Sequence, residues 1–583
     1  MRRSRSLDGA SVAFVGPYGT FVTNVTVLGR RRHAVDPALL MLGALTVALV
    51  VVFVVYPLGR VLAEGFLKRG EVDFAAWVSV STKPVYLRVV WNTLLLGTIT
   101  AASTTLAGFV TAFTLVRARP WAPMALVFRG LVLLPMIAPP FALGLASILL
   151  FGRSGLITRG VFGIEADIYG LPGLSFVQFV TFFPVAHLMF EGLLRAVDPA
   201  VEEAALNLGA SPGRTFRTVT LPLLVPGFAG SILLGFIESL ADLGNPILIG
   251  GDFNTLAVQS WLAIVGQGSF QMGAVLSTIV LAPSLAVFVI QRSWVAKATY
   301  ISVTGKPSGG RGLAIDGAAR TGLQVATGAL AALVLLLYLT VLAASVVTVW
   351  GGDYRPTLAH YAVAFGRGWS ALSDTVVLSL GATPIAAVAG LVVAYVVVRS
   401  NVPGRDWLDF VAMLGAAVPG TVLGIGYLLA FNKAPLQLTG GWLILVAALA
   451  VRSLPTGQRA AVAALQQISP SLEEASTNLG ADATATFRRI VLPLLRPALL
   501  AGMVFSFTRN MTALSSIILL ASPRWKLMTK EILDLMDLGQ MGAAVAYTSI
   551  LITIVVAVLG LLTAAVERWG RAGATRELDI SRF

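Results

Sequence analysis

One stretch of this chain occurs twice, and that constrains its fold more than any other feature. Residues 198–226 read DPAVEEAALNLGASPGRTFRTVTLPLLVP and residues 469–497 read SPSLEEASTNLGADATATFRRIVLPLLRP, at a constant offset of 271 with 16 of 29 positions identical. A chain built on two such copies folds as an internal repeat in which each copy meets equivalent surroundings. In each copy Pro199 or Pro470, followed by a Glu pair, marks a helix start suited to the positive end of the helix dipole. Gly209 and Gly480 then let one short helix stop and another leave at an angle. The second segment runs to Leu221-Pro222 or Leu492-Pro493, so each copy reads as two short helices joined by a bend.

The flanking segments decide the medium. With 56% apolar and 12% charged residues, and a mean hydropathy of +0.84, the chain of 583 residues is expected to be an all-α polytopic membrane protein. A spanning helix needs roughly 20 apolar residues. That places spans near 38–60, 89–116, 124–151, 171–193, 225–249 and 272–291, then near 321–350, 374–398, 407–431, 441–462, 496–520 and 543–566. The expected organisation is a basic tail at 1–36, a six-helix repeat at 37–291, a Gly- and Lys/Arg-containing linker at 292–320, a second repeat at 321–566 and a tail at 567–583. Outside the duplicated loops, Asn92-Thr93 aligns with Asp374-Thr375, Gly108 with Gly390, Arg117 with Arg399, Pro139 with Pro419 and Pro184 with Pro455. An even number of spans per half keeps both halves in one orientation. The about 12 helices then form two parallel repeats related by a pseudo-twofold along the membrane normal.

The net charge of +14 suggests a nucleic-acid partner only until the basic residues are sorted by membrane side. With a cytoplasmic N-terminus most Lys and Arg fall inside, which puts both termini and both duplicated loops in the cytoplasm and leaves no need for nucleic acid. No Cys is present, and His33, His187 and His360 lie far apart, so no metal site, thiol chemistry or catalytic constellation is expected. Gly305-Lys306 lacks the spaced upstream Gly of a phosphate loop and is followed by Pro307, so ATP and Mg would be held by other subunits. The outer loops are too short for a substrate-capturing domain, which must also be a separate polypeptide.

Ionisable groups at span depth are costly and usually face a pathway or a partner. Glu238, Asp242 and Asn245, spaced i, i+4 and i+7, would share one face of the fifth helix. Arg509 stands at the position equivalent to Glu238, with Asn510 beside it. Two readings stay open: a translocation surface or gate, and a structural ion pair between the halves. His187 and Glu191, four apart, read as a local pair rather than as substrate ligands.

The duplicated stretch resembles the cytoplasmic EAA loop of the membrane subunits of binding-protein-dependent ABC importers: Glu-Ala-Ala, three residues, Gly, nine residues, Ile, one residue, Leu-Pro. The first copy matches at Glu203, Ala204, Ala205, Gly209, Leu221 and Pro222, with Val219 where Ile is usual; Glu202 precedes it. The second matches at Glu474, Ala475, Gly480, Ile490, Leu492 and Pro493, with Ser476 replacing an Ala and Glu473 preceding it. The resemblance implies that these residues dock two ATP-binding cassette subunits. NTLLLG at 92–97, LPMIAPPFALGLASILLFG at 134–152 and IESLADLGNPILIGGDF at 237–253 further resemble the fused, two-half permeases of the ferric-iron group. What that implies is a multi-pass permease of the bacterial inner membrane taking Fe(III) from a periplasmic or extracellular binding protein. Relatives of this group handle thiamine, phosphonates, sugar phosphates, polyamines or sulfate. A gradient-driven secondary transporter shares the parallel repeat but needs no EAA loops. A membrane enzyme would need a reactive constellation, and none is found.

Overall fold

The computed structural model describes residues 37–297 and 314–580, apart from 69, 401 and 403. The expected tail at 1–36 and most of the expected linker at 292–320 lie outside the described residues. In the first half the helices are α1 (Gly43–Phe66), α2 (Pro84–Phe113), α3 (Ala122–Leu133), α4 (Pro140–Phe151), α5 (Leu171–Ala196), α6 (Pro199–Asn207), α7 (Leu221–Ala241), α8 (Gly244–Ile249) and α9 (Phe270–Lys297). The second half has α10 (Gly317–Ser345), α11 (Ala359–Arg399), α12 (Arg405–Ala417), α13 (Gly420–Phe431), α14 (Trp442–Gln467), α15 (Pro470–Asn478), α16 (Leu492–Met511) and α17 (Met541–Ile580). Residues 567–580, expected as a tail, continue α17. In both halves the first long helix leads into a short antiparallel hairpin, Leu67–Lys68 with Glu71–Val72 and Val347–Val349 with Asp353–Pro356.

Ten helices are long and apolar enough to cross a membrane among the described residues, and one bent pair makes an eleventh. Of the twelve expected spans, those at 407–431 and 441–462 are not among the ten. The segment expected as a single span at 407–431 is α12 and α13, bent by 108°. The matching segment at 124–151 is likewise two helices, α3 and α4. Proline causes both breaks. Pro139 and Val418, the latter just before Pro419, take extended backbone (ψ 137° and 126°), because proline offers no N–H to the helix and disfavours helical backbone in the residue before it. The helix expected at 441–462, α14, has the length, but Arg452, Gln458 and Arg459 in its second half hold its apolarity below that of the others.

Two packing relations position the rest. Within each half the second helix lies along the fifth segment, α2 on α5 and α11 on α14. The aligned glycines sit at these crossings. A Cβ on Gly108 would come within 2.4 Å of the Ala186 Cβ, and one on Gly390 within 2.6 Å of the Gln458 nitrogen, so no other residue fits without moving a backbone. Between halves, the first helices are exchanged: α1 packs on α13 of the second half, and α10 packs on α3 and α4 of the first. The Tyr427 hydroxyl donates to the Phe53 carbonyl at 2.8 Å, and Tyr338 to the Leu134 carbonyl at 3.0 Å, fastening both crossings. The sequence halves are therefore interlocked rather than two separate bodies.

Candidate functional site: two duplicated loops and a central polar chamber

Each duplicated loop begins with a capped short helix. Asp198 accepts a hydrogen bond from the Ala200 N–H at 3.0 Å, and Ser469 one from the Ser471 N–H at 3.4 Å, the N-cap role that Asp and Ser fill well. The helices end at Gly209 and Gly480 with φ of +85° and +87°, a conformation in which a side chain is strained. The next segment is a single turn, Pro212–Thr215 or Ala483–Thr486. It does not stop at the Leu-Pro pair. In both copies a wider π turn, 216–220 or 487–491, carries it directly into α7 or α16, with Pro222 and Pro493 just past the π turn.

The adjacent glutamates divide their work. On a helix, neighbours point about 100° apart, so one glutamate of the pair can turn to the body while the other faces outward. Glu203 and Glu474 are exposed, as are Ala204 and Ala475. Glu202, expected beside them at the docking surface, is instead fully buried: it accepts from Arg117 Nη2 at 2.9 Å and from the Thr220 hydroxyl at 2.7 Å. In the second half Glu473 lies 2.8 Å from Arg399 Nε. Arg117 aligns with Arg399 and Glu202 with Glu473, but sequence spacing does not show that they pair. A basic residue and a glutamate duplicated together were the signal for this pairing. Ala205, Leu221, Ile490, Leu492 and Pro493 are half-buried, while Pro222 is exposed.

Each loop also presents an apolar side chain that the sequence reading passed over. Leu208 and Leu479, one residue before each glycine, are both 89% exposed. They are the most exposed large apolar side chains among the described residues, and they stand at equivalent positions of the repeat.

The second cluster lies between the halves. Glu238 and Arg509 meet there, Oε1 and Nη2 being 3.9 Å apart. They line a cavity of about 220 Å³ together with Asp242, Thr181, Arg452 and Thr456. Asp242 and Asn245 do not share a helix face with Glu238, because α7 ends at Ala241 and Asp242 is extended (ψ 123°). Gly244-Asn245-Pro246 starts a new helix instead. The Asp242 carboxylate accepts from Gln178 Nε2 at 3.0 Å, from Asn245 Nδ2 at 2.9 Å and from the Asn245 backbone N–H at 3.3 Å. Gln178, which no sequence pattern marks, is the hub: its Oε1 accepts from Thr100 at 2.8 Å and Ser239 at 2.6 Å. Asn510 is buried, accepting from Ser453 at 2.6 Å and donating to Thr383 at 3.3 Å, so it holds α14 and α11 to α16 and does not line the cavity. His187 and Glu191 form a local pair at 3.5 Å, and Glu191 also accepts from Arg129 and Arg195 at 2.7 Å each. At the end of the molecule away from the duplicated loops a larger cavity, about 1300 Å³, opens between Tyr169, Asp252, Trp350 and His360.

Comparison with known proteins bears on the family. The chain is 35% identical over 532 residues to a ferric transport system permease protein of Actinobacillus pleuropneumoniae, covering 89% of this chain and 77% of that one. It is 36% identical over 487 residues to a putative ferric transport system permease protein of Haemophilus influenzae, covering 82% and 77%. A putative 2-aminoethylphosphonate transport system permease protein of Salmonella typhimurium is 29% identical over 217 residues, 37% of this chain and 82% of that one. Residues 105–300 and 386–571 each match the family described as binding-protein-dependent transport system inner membrane component, and each match contains one duplicated loop. The chain therefore belongs to that family twice over, as two ABC transport permease halves fused in one polypeptide.

Proposed function

We propose that this chain is the pathway subunit of an importer that moves Fe(III), handed over by a separate binding protein, across the bacterial inner membrane into the cytoplasm. ATP hydrolysis on two separate cassette subunits drives it, one subunit docking on each duplicated loop. Both loops and both termini then lie in the cytoplasm. The observation that carries the reading is the repeated loop itself, with an exposed Glu203-Leu208-Gly209 surface and its Glu474-Leu479-Gly480 equivalent, each tied to the helical body by an arginine–glutamate pair. A loop anchored in this way transmits a push on its outer face to the ends of α2 and α11, where Arg117 and Arg399 sit. The ferric cargo is supported by the two relatives similar over most of the chain.

The test is reconstitution in proteoliposomes with a cassette ATPase and a ferric-binding protein. Radioactive iron should accumulate only with ATP inside the docking compartment, and changing Leu208 and Leu479 together to Asp should abolish both uptake and binding-protein-stimulated hydrolysis. Uptake that persists without ATPase subunits under an imposed ion gradient would make the chain a secondary transporter. Uptake of a phosphonate or thiamine in place of iron would keep the class and replace the cargo.

A further inference from the structure

Two of the arginines that face inward have a carboxylate: Arg117 with Glu202 at 2.9 Å and Arg399 with Glu473 at 2.8 Å. Arg452 has none. Its Nη1 donates to the carbonyl of Val418 at 2.7 Å and reaches that of Gly415 at 3.5 Å, closing the end of α12 at the bend. Among the described residues its Nε and Nη2 have no hydrogen-bond partner, and Arg452 lines the central cavity. Of the acids around that cavity, Asp242 is engaged by three donors and Glu238 stands in a loose pair with Arg509 at 3.9 Å. The hydroxyls of Thr456 and Ser515 line the same space and donate to nothing among the described residues. At an offset of 271 the counterpart of Arg452 is Thr181, so the repeat does not require a cation here.

An unpaired guanidinium within an apolar layer is costly, and such groups are usually retained for a ligand or a pathway. We propose that the central cavity is an oxyanion site, in which the free edge of Arg452 grips two oxygens while Thr456, Ser515 and Arg509 complete the donor set. The planar fork of arginine matches a phosphate, carbonate or carboxylate bidentately. Glu238 and Asp242 on the same lining offset the two guanidiniums, so a bare trivalent cation gains no net attraction here, whereas an oxyanion finds donors of its own in Arg452, Thr456 and Ser515. Resting on the ferric reading above, the cargo then crosses this cavity as Fe(III) with an oxyanion ligand, never as the naked ion.

The chain has no cysteine, so Thr456→Cys places a single thiol in the cavity. In the assembled transporter, a sulfonate-bearing methanethiosulfonate should modify it about tenfold faster than a trimethylammonium-bearing one, after each is normalised to a free thiol. Inorganic phosphate should slow the reaction at least about twofold by occupying the site. Arg452→Gln should remove the preference and the protection, and Arg452→Lys should keep the preference; if Arg452→Gln does not assemble, Arg509→Gln in the same background should weaken both effects. Equal rates with the two reagents, or a preference indifferent to these changes, would overturn the oxyanion site. The cargo arm is separate. Proteoliposomes are offered radioactive iron with radiolabelled phosphate, carbonate or oxalate in parallel, and one label should enter in step with iron. Iron entering with no label overturns passage as a complex, while the thiol result still decides the site. No iron entering at all overturns the ferric reading, on which the cargo arm alone depends.

Discussion

The two duplicated loops share a sequence and a backbone but are not held equally. In the first, Arg117 and Glu202 are 5% and 0% exposed, and Thr220 adds a second bond to the same carboxylate oxygen. In the second, Arg399 and Glu473 are 13% and 19% exposed, and the Nη2 of Arg399 is spent on the carbonyls of Leu465 and Ile468 at the end of α14. Where the first copy has Ala205, the second has Ser476, bonded to Thr486 at 2.8 Å. The first loop therefore hangs on one desolvated ion pair, and the second on a partly solvated pair backed by a helix cap and a hydroxyl pair. Repeat symmetry fixes where an anchor sits; the strength of the anchor follows from how much water reaches it.

The largest effect should come from removing Arg117. Arg117→Gln leaves the Glu202 carboxylate buried without its guanidinium, which typically costs about 3–5 kcal/mol. Arg399→Gln loses a partly hydrated pair and two bonds to carbonyls, expected at about 1–3 kcal/mol. Thermal unfolding in detergent, with and without the ATPase subunit, checks the order. Equal losses from the two variants would mean that both anchors are equally dry and that the contrast between the loops is only apparent.

Next come the two exposed leucines. Leu208→Ala and Leu479→Ala remove side chains that touch little, so the stability of the isolated chain should change by less than about 0.5 kcal/mol. If each fills a pocket on a cassette subunit, affinity should fall by about 2 kcal/mol or more, the scale of an interface hot spot. Titration of the ATPase against each variant in nanodiscs measures it. A loss at one leucine only would carry the inequality of the anchors through to the docking faces.

The glycine variants should fall below that. A Cβ at Gly209 or Gly480 meets nothing within 4 Å, so only the positive φ opposes a substitution. Gly209→Val and Gly480→Val should each cost about 1–3 kcal/mol of local strain. Because the two backbone conformations match, the effects on coupled hydrolysis should match as well, and a clear difference would show that the partners, not the loops, are unequal.

Much of this was legible from residues alone, and the failures have physical causes. The loops, their caps and the glycines at the bends follow from local backbone rules that do not depend on distant contacts. Pro139 and Pro419 were visible as an aligned pair, but hydropathy integrates over a window and reads straight through a bend. Helix periodicity likewise carried Glu238, Asp242 and Asn245 onto one face, although Gly244-Asn245-Pro246 contains the signals that end a helix. Gln178 and Arg452 left no such trace. Gln178 owes its role to the packing of α2, α5 and α7, and Arg452 to the bend at the end of α12, which bring distant segments together at no sequence spacing. The burial of Glu202 lies between these cases, since a duplicated arginine and a duplicated glutamate implied a pair without saying which glutamate would turn inward.

The smallest effect should be at Glu238 and Arg509, where the sequence places opposite charges at equivalent positions. Taken as a buried pair, they would couple by several kcal/mol. In the structure they stand 3.9 Å apart with side chains 25% and 37% exposed, a loose pair open to the chamber. A pair in that setting is worth about 1 kcal/mol or less. A double-mutant cycle on the thermal stability of the purified chain, using Glu238→Gln, Arg509→Gln and the double variant, should therefore return a coupling near 0.5–1 kcal/mol. The exchange Glu238→Arg with Arg509→Glu should restore stability to within that margin. Transport need not follow stability, because the exchange moves a guanidinium from α16 to α7 and changes which wall of the chamber carries it. If the exchanged chain is as stable as the original yet transports poorly, the charges act on what passes between the halves; if transport returns with stability, they do no more than hold the halves together. A coupling of several kcal/mol would mean that the chamber is closed to water around this pair, and that the halves are joined by a charge contact of the same rank as the anchor of the first loop.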